Sequence, residues 1–467
     1  MRYNLDNCLD LLALPQEWQA DLFEGKYAMN LNRLKLVAFW CVALVPYVIV
    51  AEFVSYLLIV ESCPSRLRTR LGRGTIEAHP VALNKPRTHN AVVLQCAGGV
   101  GPSESIDEQR HLMFHSVLGW DYPPGLIYKD VDGVTYGLGP DGARRTCTAF
   151  KSTPITTYGD SFTYCANVQD EQTWQTYLGR KLKANVLNFG VGGYGTDQAY
   201  LKYQLNPSRM AKIVMLCILP ENANRGVNIF RPFYTHEGSW GLTKPMFKET
   251  AEGFKLIPNS LNNVLEVTRL EDPDFLKRLG EMDYWYLLDQ RMPAIKFPYL
   301  LSLYRWRETV FDQVGKPFLK FIHLPCGNSR GWNLIEQPEV LSVMCNITDL
   351  FVATARSRGA VPVIVIMPHK DYVRKVIEVG SGGTDGLVNY LKRKAYPHID
   401  AIRAVAEMKP TRSQLDNWYH DHATAQGNMV LADIIFNYLT RYYSHLLEPE
   451  EDRSVAGLHD DQDVVRY

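Results

Sequence analysis

The residues best suited to chemistry stand at the end of a β-like run, where Gly159, Asp160 and Ser161 follow Thr-Thr-Tyr. A serine hydroxyl presented at the edge of a sheet can attack an acyl carbon once a neighbouring base takes its proton. The same three residues also suit an ordinary strand-to-helix turn, in which glycine frees the backbone and aspartate or serine caps the helix. The tripeptide alone leaves both interpretations open.

Three other segments carry residue types that acyl transfer requires. They read NFGVGGYG (188–195), PENANR (220–225) and YHDHATAQGN (419–428). Together they offer backbone N–H groups at glycines, an amide side chain to hold an oxyanion, and an imidazole base. Each segment alone has a simpler explanation as a tight turn, a helix cap or a pair of surface histidines. The combination with Ser161 predicts acyl transfer, because four suitable segments are far harder to assemble by accident than one.

Strand-like and helix-like segments alternate from residue 154 onward, and this alternation positions the four segments. The strands, such as AKIVMLCIL (211–219) and VPVIVIMP (361–368), are continuous apolar runs. Such runs between helices predict an α/β fold with a parallel sheet covered on both faces. Chemistry in these sheets gathers outside the carboxyl ends of the strands. Three of the four segments follow a strand, and the last precedes the final helix.

An insertion rich in aromatic residues and prolines, residues 226–340, interrupts the alternation. Its segments IFRPFY (229–234) and YWYLLDQR (284–291) suit a lid or a glycan-binding surface. They suit simple core packing equally well.

The order of the four segments resembles that of the SGNH, or GDSL, hydrolases, over about residues 110–225 and 355–440. The resemblance implies a flavodoxin-like, three-layer α/β/α fold with a parallel sheet. It also implies a role for one residue of each segment: Ser161 as nucleophile, Gly193 and Asn222 as oxyanion donors, and His422 as base. The family's usual Gly-x-Asn-Asp appears here as Pro-Glu-Asn-Ala. LGW (118–120) and DGARR (141–145) resemble the lead-in of membrane-anchored bacterial members.

The third member of the triad departs from the family pattern. The family usually places an aspartate two or three residues before its histidine, where this chain has His420 and Tyr419. Asp421 is adjacent to His422, where side chains tend to diverge, and Asp416 is six residues away. Asp421 in an orienting role and a Ser–His dyad helped by a backbone carbonyl are therefore both open.

A long apolar run near the start predicts a single membrane span. Residues Leu36 to Val60 read LVAFWCVALVPYVIVAEFVSYLLIV, with Glu52 as the one acidic or basic side chain. As a helix this run measures roughly 37 Å, enough to cross a ~30 Å hydrocarbon core with tilt. Pro46 kinks such a helix without forbidding it. A buried core helix is the alternative.

The side of the membrane on which the C-terminal domain lies is weakly encoded. Basic residues flank the apolar run on both sides: Lys26, Arg33 and Lys35 before it, and Arg66, Arg68, Arg70 and Arg73 after it. This count leans towards a cytoplasmic C-terminal domain. An ester substrate in the cell envelope favours the extracytoplasmic side, and that is the side we predict.

The sequence accordingly predicts a succession of regions along the chain. They are an N-terminal tail (1–33), a transmembrane helix (34–61), a linker (62–90), a small β-rich lead-in (91–150), a hydrolase domain (151–446) and a polar tail (447–467).

Composition excludes several classes of function. The 50 basic and 50 acidic side chains give zero net charge, so no electrostatic case exists for a nucleic-acid partner. None of the nine cysteines forms a C-x-x-C pair, which argues against a zinc ribbon or a redox pair. The histidine spacings suggest no metal, and the chemistry needs no cofactor.

These observations predict a membrane-anchored serine esterase that acts on ester groups, among them O-acyl groups of envelope polysaccharide or lipid. Two alternatives remain. One is an O-acyltransferase that passes the acyl group to a sugar hydroxyl instead of water. The other is a catalytically silent domain that serves as a scaffold or glycan-binding subunit of a membrane complex. The missing triad aspartate favours this second alternative.

Overall fold

The computed structural model describes residues 31–62, 93–95, 106–130, 132–206, 211–233, 239–291, 297–310 and 334–447. The chain divides into two compact units. The first comprises Met1–Leu71 and Pro293–Ser329, and the second Gly72–Met292 and Arg330–Tyr467. The predicted linker beyond Ser62, the predicted polar tail beyond Leu447 and most of the predicted N-terminal tail lie outside the described residues.

Short strands make up the β-structure of the described residues. They are β1 (Val93–Gln95), β2 (Phe114–His115), β3 (Gly119–Trp120), β4 (Ile127–Lys129), β5 (Thr135–Gly137), β6 (Ile155–Tyr158), β7 (Val186–Asn188), β8 (Ile213–Ile218), β9 (Met246–Thr250), β10 (Gly253–Ile257), β11 (Val361–Ile366) and β12 (His398–Asp400).

The α-helices range from a single turn to more than six turns. They are α1 (Leu31–Ser62), α2 (Ile106–Met113), α3 (Ser161–Tyr164), α4 (Trp174–Leu182), α5 (Thr196–Leu205), α6 (Asn222–Gly226), α7 (Pro273–Gly280), α8 (Tyr284–Arg291), α9 (Tyr299–Val310), α10 (Pro338–Ser357), α11 (Lys370–Val379), α12 (Asp385–Arg393), α13 (Ala401–Glu407), α14 (Arg412–Trp418) and α15 (Ala425–Leu447).

A five-stranded parallel sheet forms the centre of the second unit. Its strands lie in the order β12-β11-β8-β6-β7, and every neighbouring pair is parallel. Numbered by their appearance in this sheet, the strands follow the flavodoxin-like order 2-1-3-4-5. The predicted parallel sheet is therefore confirmed. The order places the carboxyl ends of β6, β8 and β11 side by side.

Helices cover both faces of this sheet. All six residues of β8 are buried, which requires cover above and below the strand. One group of helices consists of α4, α13 and α15, in which α15 packs against the other two. A second group consists of α5 and α10, which pack against each other and against the sheet. The core between these layers is made of aliphatic and aromatic side chains.

Smaller sheets accompany the central one. Strands β1, β4 and β5 form an antiparallel sheet, and β2 pairs with β3, both within the predicted lead-in. The predicted insertion contributes the hairpin β9–β10 and the helices α7 and α8 to the second unit.

The first unit contains α1 and α9, which pack against each other. Helix α1 covers the whole predicted span and includes Pro46 in its interior. Its side chains are described for residues 43–58. A search of the described residues finds no helix with the length and apolar character that crossing a membrane demands. The span from Leu36 to Val60 stays a prediction.

Candidate active site

The turn after β6 presents Ser161 as the first residue of the short helix α3. Asp160 caps this helix, because its Oδ1 accepts a hydrogen bond from the N–H of Phe162 at 2.9 Å. The helix ends after one turn at Cys165, which has a left-handed conformation with φ of 63°. Ser161 is 8% exposed, so it is almost fully buried below the protein surface.

Gly159 is needed for space and not for backbone freedom. The φ of Gly159 lies outside the left-handed region, which corrects the expectation that glycine frees the turn. A Cβ at this position would lie 2.1 Å from Thr163 Oγ1 and 2.9 Å from the carbonyl oxygen of Cys217. The close approach of α3 to the end of β8 therefore excludes any side chain here.

His422 meets Ser161 across the sheet edge. Its Nε2 lies 2.9 Å from Ser161 Oγ, the separation of a hydrogen bond. A tight loop before α15 holds the imidazole, since the N–H of His420 donates to the carbonyl of His422 at 3.0 Å. The ring also packs against Phe162, with centroids 5.1 Å apart. The residue after Ser161 thus helps to position the base.

Burial lowers the pKa of His422 below its ordinary value of 6.5. The nearby carboxylate of Asp160 acts in the opposite direction, and the guanidinium of Arg225 lowers the pKa again. The net effect keeps the imidazole neutral near pH 7. A neutral imidazole is the form that can take the Ser161 proton.

No carboxylate completes a triad among the described residues. The Nδ1 atom of His422 is buried and has no hydrogen-bond partner in the described part of the chain. Asp421 is exposed, and the structure does not bring its carboxylate to Nδ1. Asp416 is bonded to Arg374 instead. The structure thus assembles a Ser–His pair from the predicted residues and leaves Asp421 outside it.

Tyr419 occupies the position where the SGNH family usually has its aspartate. Its side chain is 1% exposed, and within the described residues its hydroxyl has no hydrogen-bond partner. Burial raises the pKa of this hydroxyl far above 10. Tyr419 is therefore a neutral core residue and does not replace the carboxylate.

Asn222 braces the site by joining three loops. Its Oδ1 accepts from the N–H of Leu219 at 2.8 Å. Its Nδ2 donates to Asp160 Oδ2 at 2.8 Å and to the carbonyl of Tyr194 at 3.3 Å. Arg225 Nη1 contacts the same two acceptors, at 3.1 and 3.2 Å. Asn222 can donate to an oxyanion only by giving up one of these bonds, of which the one to Tyr194 is the longer.

Two backbone N–H groups, those of Ser161 and Gly193, are further candidate donors to an oxyanion. The N–H of Ser161 stands in the first turn of α3, where helical N–H groups lack an intrahelical acceptor. Gly193 lies on the loop after β7 with φ of +77°, a conformation that favours glycine. Among the described residues, the backbone N–H of Gly193 makes no hydrogen bond to another backbone group. Both groups have a hydrogen to offer.

A cavity of about 380 Å³ opens beside His422. Its walls carry amide, hydroxyl, carboxylate and imidazole groups, from Asp132, Asn167, Gln172, His420, Asp421, His422 and Thr424 together with three smaller or apolar residues. The lining mixes polar groups with apolar surface, and it includes His422 but not Ser161.

His369 is a site residue that the sequence analysis missed. It follows β11 and caps α11, with its Nδ1 3.5 Å from the N–H of Asp371. Its ring lies 5.8 Å from that of Phe162 and 6.2 Å from that of Tyr419, between centroids. A signal was present, because a histidine three residues after the end of an apolar strand stands at the same sheet edge as the other segments.

Arg144 is a second residue whose role only the structure reveals. It is 1% exposed, and its guanidinium carbon lies 4.7 Å from the ring centroid of Tyr136 and 4.9 Å from that of Tyr164, two rings that stack on each other. Its guanidinium donates to three carbonyls of the turn after α3 at 2.5–2.6 Å, those of Tyr164, Cys165 and Val168, and to Asp170 Oδ1 at 2.8 Å. Arg144 therefore holds the segment that follows the nucleophile.

Comparisons with known proteins give structural neighbours only. No protein-family model and no curated protein matches the chain. A protein described as a lipolytic protein of the G-D-S-L family from Desulfitobacterium hafniense matches at 12% identity and a TM-score of 0.29, over 62% of this chain and 100% of its own. LAE5, an α/β hydrolase from the metagenome of Lake Arreo, matches at 11% and 0.32, over 64% and 98%.

A catalytic mutant of an acetylxylan esterase from Geobacillus stearothermophilus matches at 11% identity and a TM-score of 0.30, over 62% of this chain and 96% of its own. At such identities and scores these likenesses carry no argument about activity. The activity has to be argued from the site itself.

Proposed function

We propose that this protein is a serine ester hydrolase that works through an acyl-serine intermediate. The contact of 2.9 Å between Ser161 Oγ and His422 Nε2 carries the proposal. A hydroxyl at the start of a capped helix, beside a buried neutral imidazole, is the arrangement that nucleophilic acyl transfer needs. The order of the four segments, which resembles that of the SGNH hydrolases, supports the same reaction.

In the first half of the reaction, Ser161 Oγ bonds to the acyl carbon while His422 Nε2 takes the hydroxyl proton. The negative charge that develops on the carbonyl oxygen is held by the N–H groups of Ser161 and Gly193, with Asn222 as a third donor. When the carbon–oxygen bond to the alcohol breaks, His422 returns the proton to the departing oxygen. The acyl group is then attached to Ser161.

In the second half, a water molecule attacks the acyl-serine and His422 takes its proton. The bond between the acyl carbon and Ser161 Oγ breaks, and the proton passes back to that oxygen. A carboxylic acid leaves, and the site returns to its starting state. With Asp421 outside hydrogen-bonding range, the loop around His422 and the ring of Phe162 orient the imidazole.

The proposed substrate is an ester of a polar alcohol, whose hydroxyl groups could bond to the amide, carboxylate and imidazole groups of the cavity beside His422. O-acyl groups on envelope polysaccharide or on lipid headgroups fit this description. We further propose that residues 36–60 anchor the protein in the membrane, with the second unit on the extracytoplasmic side where such substrates occur.

The experiment that tests the proposal is hydrolysis of p-nitrophenyl acetate by the purified full-length protein and by Ser161→Ala. We expect Ser161→Ala to lose at least roughly 10³-fold in kcat/KM, with an unchanged melting temperature. Ser357→Ala is the matched control, because Ser357 is an exposed serine at the end of α10. Activity above a few per cent in Ser161→Ala would overturn the assignment of the nucleophile.

An inactive wild-type protein would favour a catalytically silent domain. The lack of a partner for His422 Nδ1 among the described residues would then explain the missing activity. Product analysis with a sugar ester separates hydrolysis from transfer. Free acid is the expected product, and appearance of the acyl group on an added sugar would indicate a transferase.

A further inference from the structure

The polarity of the first unit is inverted relative to that of a soluble helix pair. Within residues 43–58 of α1, the two buried side chains are polar, Glu52 at 9% and Ser55 at 2% exposure. On α9, Ser302 is 3% exposed. Polar groups thus face the contact between the helices, while apolar groups face outwards. Inward-facing polar and ionisable side chains are the pattern of helices that pack within lipid.

Exposed apolar side chains are found on every side of α1. They are Leu44, Val45, Tyr47, Val48, Ile49, Val50, Phe53, Val54 and Leu57, each at least 43% exposed. At about 100° per residue these positions are spread around the whole helix, and Val48 lies on the same side as Glu52 and Ser55, one turn nearer the N-terminus. A protein partner would cover one face, whereas lipid surrounds a helix.

Helix α9 supplies what Glu52 needs in such surroundings. Glu52 Oε2 accepts hydrogen bonds from the N–H groups of Tyr299 and Leu300, the latter at 3.3 Å, at the start of α9. The ring of Tyr299 also packs on Tyr56, with centroids 5.1 Å apart. Free N–H groups and the positive end of the helix dipole make a helix N-terminus a good partner for a carboxylate. Glu52 is therefore compensated by backbone groups of α9.

The start of α9 and Phe297 just before it are apolar on their outer side. Phe297, Leu300, Leu301 and Tyr304 are between 43% and 73% exposed. The 12 residues of α9 measure about 18 Å, too short to cross a hydrocarbon core of ~30 Å. The second half of the helix carries charge at Arg305, Arg307 and Glu308, and Arg307 is exposed and lies over the ring of Tyr304 at 4.7 Å. An apolar start followed by charged residues suits insertion of the first turns into one leaflet, with the charged end at the leaflet surface.

We propose that α9 is a second membrane-embedded element, which enters one leaflet beside α1 and is held there by Glu52. The partner of its outer face is the acyl-chain region of a phospholipid bilayer. The Glu52 contact lies eight residues before Val60, about 12 Å along α1, which places the start of α9 within the hydrocarbon layer. This inference rests on the membrane anchoring proposed above for residues 36–60.

The test is photocrosslinking of the full-length protein in vesicles of phosphatidylethanolamine and phosphatidylglycerol. p-Benzoylphenylalanine replaces Leu301, Phe53 or Leu265 one at a time, and mass spectrometry detects attached phospholipid. Leu265 is 74% exposed in the second unit and is the control. We expect lipid on the probes at Leu301 and Phe53 and none on the probe at Leu265.

Lipid at Phe53 without lipid at Leu301 would overturn the inference about α9 and leave the anchor standing. No lipid at either position would overturn the anchor. The role of Glu52 is tested with Glu52→Leu, which removes the acceptor for the α9 N–H groups. We expect crosslinking at Leu301 to fall at least threefold and crosslinking at Phe53 to stay unchanged, with esterase activity as the check on folding. Unchanged crosslinking at Leu301 would show that Glu52 does not hold α9.

Discussion

Ser161 and His422 are 261 positions apart in the chain and 2.9 Å apart in space. Because they act as a unit, we expect His422→Ala to lose nearly as much kcat/KM as Ser161→Ala. The double variant should be little worse than either single one, since residues that act together show strongly non-additive losses. Steady-state hydrolysis of p-nitrophenyl acetate measures all three.

The neighbours of His422 provide matched controls. His420 and Asp421 are both exposed, and Asp421 does not reach Nδ1. His420→Ala and Asp421→Asn should therefore cost less than about tenfold, against the roughly 10⁴-fold lost when a true triad aspartate is neutralised. An inactive His420→Ala beside an active His422→Ala would mean that the wrong histidine has been assigned.

The buried state of His422 also predicts the pH dependence. Burial lowers the pKa of His422 below 6.5, so the imidazole stays neutral and competent as pH falls from 8 towards 6.5. Below its pKa the imidazole is protonated and cannot accept the Ser161 proton. We expect the acidic limb of kcat/KM to have its midpoint below 6.5. A midpoint above 6.5 would mean that a carboxylate raises the pKa of the base, as in a complete triad.

At the scale of elements, the segment after α3 depends on one buried guanidinium. Arg144 donates to three carbonyls and one carboxylate there, and lysine has neither the planar fork nor enough donors to replace it. We expect Arg144→Lys to lower the free energy of unfolding by roughly 3 kcal/mol, as for other broken buried ion pairs. The activity of the folded fraction should fall too, because Ser161 and Phe162 stand on the helix that this segment follows.

Chemical denaturation followed by circular dichroism measures the effect of Arg144→Lys. The adjacent Arg145 is exposed, so Arg145→Lys is the matched control and should stay within about 0.5 kcal/mol of wild type. Equal stability of the two variants would show that the contacts of Arg144 are not what stabilises the segment.

At the scale of the whole molecule, the proposed anchor predicts on which side of the membrane the second unit lies. We expect protease added to spheroplasts to digest the second unit without lysis, while a cytoplasmic marker protein stays intact. Alkaline carbonate should leave the undigested protein in the membrane pellet, as it does proteins with a spanning helix. A second unit protected until lysis would place it in the cytoplasm, as the basic residues flanking α1 suggest.

Local sequence was sufficient to predict the central sheet and to select Ser161 and His422, two residues that the structure brings within hydrogen-bonding distance. The apolar runs of β8 and β11 leave no polar face, so only a sheet covered on both sides can accommodate them. In such a sheet the carboxyl ends share one edge, which is why Ser161 and His422 could be selected by reading only the loops at that edge. The membrane span was likewise read from one continuous run, and it remains untested.

Only the tertiary structure determined how the side chains at that edge are arranged. Asn222 faces Asp160, 62 positions earlier, and Arg144 reaches a turn 20–24 positions later. No local sequence pattern predicts either contact, because each depends on which loops the packed sheet brings together. Gly159 shows the same limit: sequence suggested backbone freedom, whereas the structure requires space for Thr163 and the end of β8. Within the described part of the chain no carboxylate pairs with His422 Nδ1, although Asp421 is the preceding residue and is exposed, so this feature also depends on how the loop packs.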